Sequence, residues 1–313
     1  MFDALLDRTI VLSFDRNGYH RHARHFIGED VDLSGQVVVV TGGNAGIGRA
    51  IAHSLAVDRA EVWLVCRNVA RGEEARAHLV AETGNPAIHV AIADMSVHAD
   101  VRRLAERLPP HVHAIIHNAG ALLDHRELTP DGLERTYATH VTGPFLLTAL
   151  LAREPDPQGP RFAPDARVVW VSSGGMYTQR LDLAALTATT GPFDGVRAYA
   201  LAKRAQVILN ERLAERLGPR VWTAAMHPGW ANTGGVRTSL PRFWSLTRSI
   251  LRTAEEGADT AAWLAVRARG PSGRFWFDRA EVPAHLWPRT HESAADRDAL
   301  WADVCEKTGV DVP

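Results

Sequence analysis

From Gln36 onward, short apolar runs rich in β-branched residues alternate with longer stretches in which apolar positions recur every three or four residues. The runs at 37–40, 62–65, 88–92, 112–116, 167–171, 221–226 and 274–277 read as strands. The stretches at 47–57, 70–82, 97–107, 133–151, 196–217 and 255–266 have the helical period. Strands that are apolar on both faces and alternate strictly with helices predict an α/β fold. The expected sheet is parallel, doubly wound and about seven-stranded, with helices on both faces. No internal repeat or low-complexity tract interrupts the pattern, and the Pro/Gly-rich stretch 154–164 reads as a surface loop. The expected organisation is an N-terminal extension, 1–30, followed by one domain over 31–313. Within that domain, 230–254 covers the substrate and 280–313 forms a C-terminal extension.

Composition narrows the function classes. With 46% hydrophobic and 23% charged residues, the 313-residue chain can bury a sizeable core. A net charge of −1 gives no global basic field, so no nucleic-acid partner is expected. Two cysteines, Cys66 and Cys305, make no disulfide framework and suit a reducing compartment. The first residues carry charges where a signal peptide needs an apolar stretch, and no window of about eighteen apolar residues is present. The expected location is cytoplasmic.

Two features carry chemistry. The first predicted strand runs into Thr41-Gly-Gly-Asn-Ala-Gly-Ile-Gly48 and then a helix. Glycines at 42, 46 and 48 let phosphates approach the backbone at a helix N-terminus, where free N–H groups favour anions. Strand, glycine loop and helix in that order suit a dinucleotide, although the spacing is Gly-x-x-x-Gly-x-Gly. The second feature is lysine, which occurs only at Lys203 and Lys307 against thirty-three arginines. Lys203 closes Tyr199-Ala-Leu-Ala-Lys203, a spacing that places phenol and ammonium on one helical face. A nearby cation favours phenolate and makes the tyrosine a usable acid or base.

With His117-Asn-Ala-Gly120, Val171-Ser-Ser173 and Pro228-Gly-Trp-Ala-Asn-Thr233, these motifs stand in the order used by short-chain dehydrogenases/reductases. Over roughly residues 35 to 290 the chain resembles that superfamily, whose fold is the Rossmann type. The segments Cys66-Arg-Asn68, Ser172-Ser-Gly-Gly-Met176, His227-Pro-Gly-Trp230 and Pro271-Ser-Gly-Arg-Phe275 are similar to the retinol-dehydrogenase-like branch. Within it, the nearest resemblance is to the group called SDR family member twelve, whose N-terminal stretch is similar to residues 14–26 here.

The resemblance implies roles. Ser173 bonds the substrate oxygen, Tyr199 exchanges its proton, and Lys203 lowers the tyrosine pKa and holds the ribose. Ser172 competes with Ser173, and alignment of the strand end favours Ser173. Tyr177 is a rival tyrosine without a lysine four residues on. The cofactor is expected to meet Thr41, Gly42, Asn44, Gly46, Ile47 and Gly48. Further contacts are expected from Arg67 and Asn68, from Asp94 near the adenine, and from Asn118, Ala119 and Gly120. Pro228, Gly229 and Thr233 complete the set beside the nicotinamide. Where the family places an Asn that holds a relay water, this chain has His140, or Thr139 if the alignment shifts by one. An imidazole there is expected to hold that water or carry the proton, with a pH dependence near neutrality.

The second strand ends in Cys66-Arg67-Asn68 without a carboxylate, and a guanidinium suits a 2′-phosphate. NADP(H) is therefore expected over NAD(H), with Arg67 as determinant. Large apolar residues between 238 and 246 point to a small hydrophobic ketone, aldehyde or secondary alcohol as substrate. Packing on the core is a second reading of that segment. Peripheral membrane contact through Arg237, Arg242, Arg248 and Arg252 among Phe243, Trp244 and Ile250 is a third, less favoured one. A homodimer is expected through the helices at 133–151 and 196–217, which offer Leu146, Leu147, Leu150, Val207, Leu209 and Leu213. His20, His22 and His25 lack Cys or carboxylate companions and read as solvated surface, and no metal is expected. The expected activity is NADP(H)-dependent hydride transfer; a non-catalytic dinucleotide sensor or scaffold is the alternative.

Overall fold

Every residue of the first strand, β1 (Val37–Thr41), is buried, as four successive valines require when helices cover both faces of a sheet. The computed structural model describes residues 13–28, 30–153, 161–232, 244–245, 247–268 and 270–312. Beside β1 lie β2 (Glu61–Cys66), β3 (Ile88–Ile92), β4 (Val112–His117), β5 (Phe162–Val171), β6 (Val221–Met226), β7 (Arg274–Phe277) and β8 (Ala280–Glu281). Their order in the sheet is β3-β2-β1-β4-β5-β6-β7-β8. The first seven are parallel, matching the seven expected runs; β8 is an added antiparallel edge strand of two residues. Asp278 and Arg279 make its hairpin turn with φ of +46° and +58°.

Alternation along β1 divides the core. Val38 and Val40 share one layer with α2 (Gly46–Val57) and the helix Ala254–Val266, through Ile51, Leu55 and Leu264. Val37 and Val39 face the other layer, with Phe145 and Leu209. Among the described residues the longer helices are α1 (Arg16–Ala23), α2, α3 (Val69–Thr83), α4 (His98–Arg107), α5 (Gly143–Ala152), α6 (Gly195–Leu217), α7 (Ala254–Val266) and α8 (Ala294–Thr308). The strand order reverses between β1 and β4, which opens a crevice at their carboxyl ends.

The stretch 133–151, expected as one helix, is broken. A turn at Arg135–Tyr137 passes into a π segment, Ala138–Thr142, before α5 begins. Pro144 has no N–H to offer the His140 carbonyl one helical turn back, and the Gln206 side-chain amide donates to that oxygen instead, at 2.8 Å. Gly143 N–H reaches back to the Ala138 carbonyl, which gives the π pattern.

Of the six residues offered for a dimer face, Leu150 alone is part-buried. Leu146, Leu147, Val207, Leu209 and Leu213 are buried within the chain, and α8 covers this side. Trp301 of α8 meets Phe145 edge-on at 5.2 Å and lies under the Arg216 guanidinium, while Arg297 pairs with Glu211 at 2.6 Å. The C-terminal extension is thus part of the core packing, through Leu300, Trp301 and Val304.

Candidate active site

At the end of β1 the chain turns through Gly42, at φ +67°, into Asn44 and Gly46, at φ +53°. A Cβ on Gly48 would lie 2.3 Å from the Gly42 carbonyl oxygen, so only glycine lets α2 start this close to the strand. The start of α2 has no side-chain cap, whereas Asn68, Asp194, Thr253 and Ser293 cap α3, α6, α7 and α8. Its first-turn N–H groups, with Ile47 among them, remain available to an anionic ligand, so the residues present fit a dinucleotide pyrophosphate.

Across the crevice, the Thr41 hydroxyl accepts from the N–H groups of Asn118 and Ala119, both at 3.0 Å. The Asn118 amide donates to the Thr41 carbonyl at 2.9 Å. Gly120 lies against the His140 ring, where a Cβ would fall 2.4 Å from Cε1. His140 Nε2 lies 2.9 Å from the Ala121 carbonyl, and the ring stands edge-on to Tyr199 at 5.3 Å. His140 is fully buried, and burial, with the Lys203 charge adding to it, lowers its pKa to about 3. The expected titration near neutrality is therefore overturned: the imidazole is neutral throughout the physiological range.

Arg67 projects from the end of β2 into solvent, 3.7 Å from the Asp94 carboxylate. Burial acts to raise the Asp94 pKa, but hydrogen bonds from Ser96 and the charges of Arg67 and Arg135 outweigh it and lower it. Asn68 spends its side-chain oxygen on capping α3, accepting from Arg71 N–H at 2.9 Å.

Ser173, Tyr199 and Lys203 converge at the carboxyl end of β5. Asp194 caps α6, accepting from the N–H groups of Val196 and Arg197, and the helix then carries Tyr199 and Lys203 on one face. Lys203 is 3% exposed; its Nζ donates to the Val171 carbonyl at 2.7 Å and lies 5.4 Å from the Tyr199 ring centre. Burial raises the Tyr199 pKa, and a hydrogen bond with the Ser173 hydroxyl opposes it. Burial also lowers the Lys203 pKa to about 7. Desolvation, more than mutual attraction, governs both groups here. The competing residues face elsewhere: Ser172 donates to the Lys203 carbonyl at 2.9 Å, and Tyr177 donates to the Pro283 carbonyl at 2.9 Å.

Pro228 and Gly229 follow β6, and Gly229 takes φ +71°. Thr233 and most of 238–246 lie outside the described residues. Arg252, read as one cation of a membrane-facing segment, is instead 1% exposed and paired with Asp278 at 2.5 Å. His20 and His25 are exposed as expected, His20 also meeting Glu256 at 2.7 Å, whereas His22 is half-buried against Asp278 at 2.7 Å. No cluster of metal-ligating side chains occurs among the described residues, nor does any helix long and apolar enough to cross a membrane. A cavity of about 860 Å³, with Phe14, Phe26, Trp263, Phe277 and Trp287 in its walls, contains none of Ser173, Tyr199 and Lys203. The chemistry is located by the converging polar groups, not by that cavity. Sequence reasoning did not find Arg204, which is fully buried beside Lys203. It donates to the carbonyls of Met176, Gln179 and Ala284 and so anchors the turn after Ser173.

Residues 36–242 match the family described as short chain dehydrogenase. The chain is 38% identical over 305 residues to the human protein named dehydrogenase/reductase SDR family member 12, covering 94% of this chain and 93% of that one. It is 34% identical over 290 residues to human retinol dehydrogenase 12, covering 90% and 89%. A solved structure from Mycobacterium Paratuberculosis superposes with a TM-score of 0.71 at 26% identity, covering 90% of this chain and 97% of that one. A short chain dehydrogenase from Burkholderia cenocepacia J2315, solved in complex with NADP, gives 0.61 at 25% identity, covering 78% and 96%.

Proposed function

Since the chain belongs to the short-chain dehydrogenase family of NAD(P)-dependent oxidoreductases, we propose that it transfers hydride between NADP(H) and a hydrophobic ketone, aldehyde or secondary alcohol. The observation that carries this reading is the meeting of the Ser173 hydroxyl, the Tyr199 phenol and the buried Lys203 ammonium beside the glycine crevice. Bound nicotinamide supplies or accepts the hydride. Ser173 holds the substrate oxygen, and Tyr199 gives or takes its proton. A phenol whose pKa burial raises is protonated at neutral pH, which suits proton donation to a carbonyl. Thr41, Asn118 and the α2 N-terminus shape the cofactor crevice. In this reading Asp94 and Asn68 would border its adenine end and Gly229 its nicotinamide end; Thr233, expected beside the nicotinamide, lies outside the described residues. Neutral His140 holds the 118–121 turn through Ala121, and its Nδ1, unpartnered among the described residues, is the atom to hold a relay water.

The exposed Arg67 guanidinium and the lack of a carboxylate in Cys66-Arg67-Asn68 support NADP(H). The test is NADPH titration by fluorescence followed by a panel of apolar carbonyls, with NADH in parallel. Turnover with NADPH preferred, and that preference lost in Arg67→Ala, is expected. Binding without turnover of any compound would favour the sensor reading, and an NADH preference that survives Arg67→Ala would remove Arg67 as determinant.

A further inference from the structure

The stretch Ser13, Phe14 and Asp15 caps α1 through Asp15 and also meets residues at and beyond the ends of β6 and β7 that are more than two hundred positions away in sequence. Arg252 gathers it: Nη2 donates to the Ser13 carbonyl at 2.9 Å, and Nε donates to those of Phe14 and Asp15 at 3.0 and 3.1 Å. The same guanidinium closes a bidentate pair with Asp278 at 2.5 and 2.8 Å. His22 of α1 meets the Oδ2 of that carboxylate at 2.7 Å. Asp278 holds φ +46°, a conformation that L residues resist, in a turn kept by these contacts.

Backbone bonds join the same stretch to both ends of the segment that follows β6. Trp230 N–H donates to the Phe14 carbonyl and Arg16 N–H donates to the Ile250 carbonyl, each at 2.8 Å. Arg252 N–H donates to the Trp230 carbonyl and Asn232 N–H to the Arg252 carbonyl, also at 2.8 Å. Gly229 has no room to spare: a Cβ would lie 2.4 Å from Arg252 Nε and 2.7 Å from the Phe14 carbonyl oxygen.

The Phe14 ring, 6% exposed, lies against Gly174, where a Cβ would fall 2.5 Å from Cε2. Gly174 directly follows Ser173. Around the ring stand His227 at 4.4 Å, Phe277 at 5.1 Å and Trp230, edge-on, at 6.2 Å. One buried ring therefore touches the serine turn and the base of the segment leading away from β6.

We propose that the N-terminal stretch is a strap that belongs to the substrate site, with Phe14 as a positioning residue and Arg252–Asp278 as its clasp. The strap sets the spacing between the Ser173 turn and Trp230, and through it the size of carbonyl substrate that fits. The proposal rests on the oxidoreductase reading above. It assigns no chemistry to Phe14, which is buried away from the reacting atoms.

The test compares the full-length parent with Phe14→Ala, Phe14→Leu and Asp278→Asn, using NADPH with decanal and with propanal. Phe14→Ala loses stability whatever its role, so kinetics are read well below its thermal midpoint. Its KM for decanal is expected to rise by about tenfold to a hundredfold, as a small misplacement of the binding wall would give. The KM for propanal and the Kd for NADPH should stay within about twofold, since neither depends on that spacing. Phe14→Leu should recover most of the loss, and Asp278→Asn should shift KM in the same direction and keeps the question open to refutation if Phe14→Ala does not fold. An unchanged ratio of the two KM values, or an equal loss for both aldehydes and for NADPH, overturns the strap. If the parent reduces neither aldehyde, simple aldehydes drop out of the proposed substrate class, and hydrogen exchange of the NADPH-bound protein judges the strap alone. Faster exchange at the Trp230 and Arg252 amides in Phe14→Ala is then expected, and equal exchange overturns it.

Discussion

The Gln206 side chain donates a 2.8 Å hydrogen bond to the His140 carbonyl, the oxygen that Pro144 leaves without a helical donor. Both partners are buried, so Gln206→Leu strands a carbonyl and should cost about 1–3 kcal/mol of stability. Pro144→Ala restores an N–H and should offset part of that cost when the two changes are combined. Urea midpoints of the two single variants and the double variant measure this; strict additivity would show that Gln206 and Pro144 do not share the carbonyl.

Tyr199→Phe is expected to lower kcat by about two to four orders of magnitude, the size of a lost general acid, with NADPH still bound. Steady-state kinetics with a fluorescence titration check both halves, and unimpaired turnover removes Tyr199 from the proton step.

Lys203 should show function opposing stability. Burial brings its pKa from 10.5 to about 7, so the fold binds fewer protons there than the unfolded chain between those values. Its cost to stability is full below pH 7 and fades as pH rises toward 10.5. Lys203→Met is expected to be inactive yet more stable than the parent at pH 7, with the difference narrowing by pH 10. A difference that stays constant with pH would mean that the ammonium is not desolvated. Lys203→Arg keeps the charge but not the shape, and comparable turnover in it would contradict the special standing of this amine.

His140, with a pKa lowered to about 3, does not titrate between pH 5 and 8. The pH–rate profiles of parent and His140→Asn should therefore have the same shape over that range, whatever their heights. An inflection near pH 6.5 in the parent alone would show the ring to be protonated in the working enzyme.

His117, His140 and His227 are each buried, and burial lowers each pKa to about 3. The unfolded chain takes up these protons near pH 6.5 and the fold does not, so stability is full above that value and falls on acidification toward pH 3. Each site adds a slope of about 1.4 kcal/mol per pH unit. In His117→Leu, where Thr148 keeps its bond to the Pro144 carbonyl, stability relative to the parent should rise by that amount per unit between about pH 5.5 and 4. Parallel curves would rule out a buried neutral His117.

Much of this protein was legible without its structure, because some constraints are local. Burial of a strand on both faces demands runs such as Val37–Val40, a helix face repeats every three or four residues, and an approach as close as that of Gly48 to Gly42 demands glycine. Seven strands, the crevice glycines and the pairing of Tyr199 with Lys203 follow from such rules. Other features come from residues that meet only after folding. Arg252 looked like a surface cation until Ser13 and Asp278 closed around it, the apolar residues of α5 and α6 gave no sign that α8 packs over them, and His140 looked titratable until burial removed water from it. Desolvation and long-range pairing leave no period in the chain. For that reason the electrostatics of the site, and the place of the N-terminal strap beside it, were decided by tertiary structure alone.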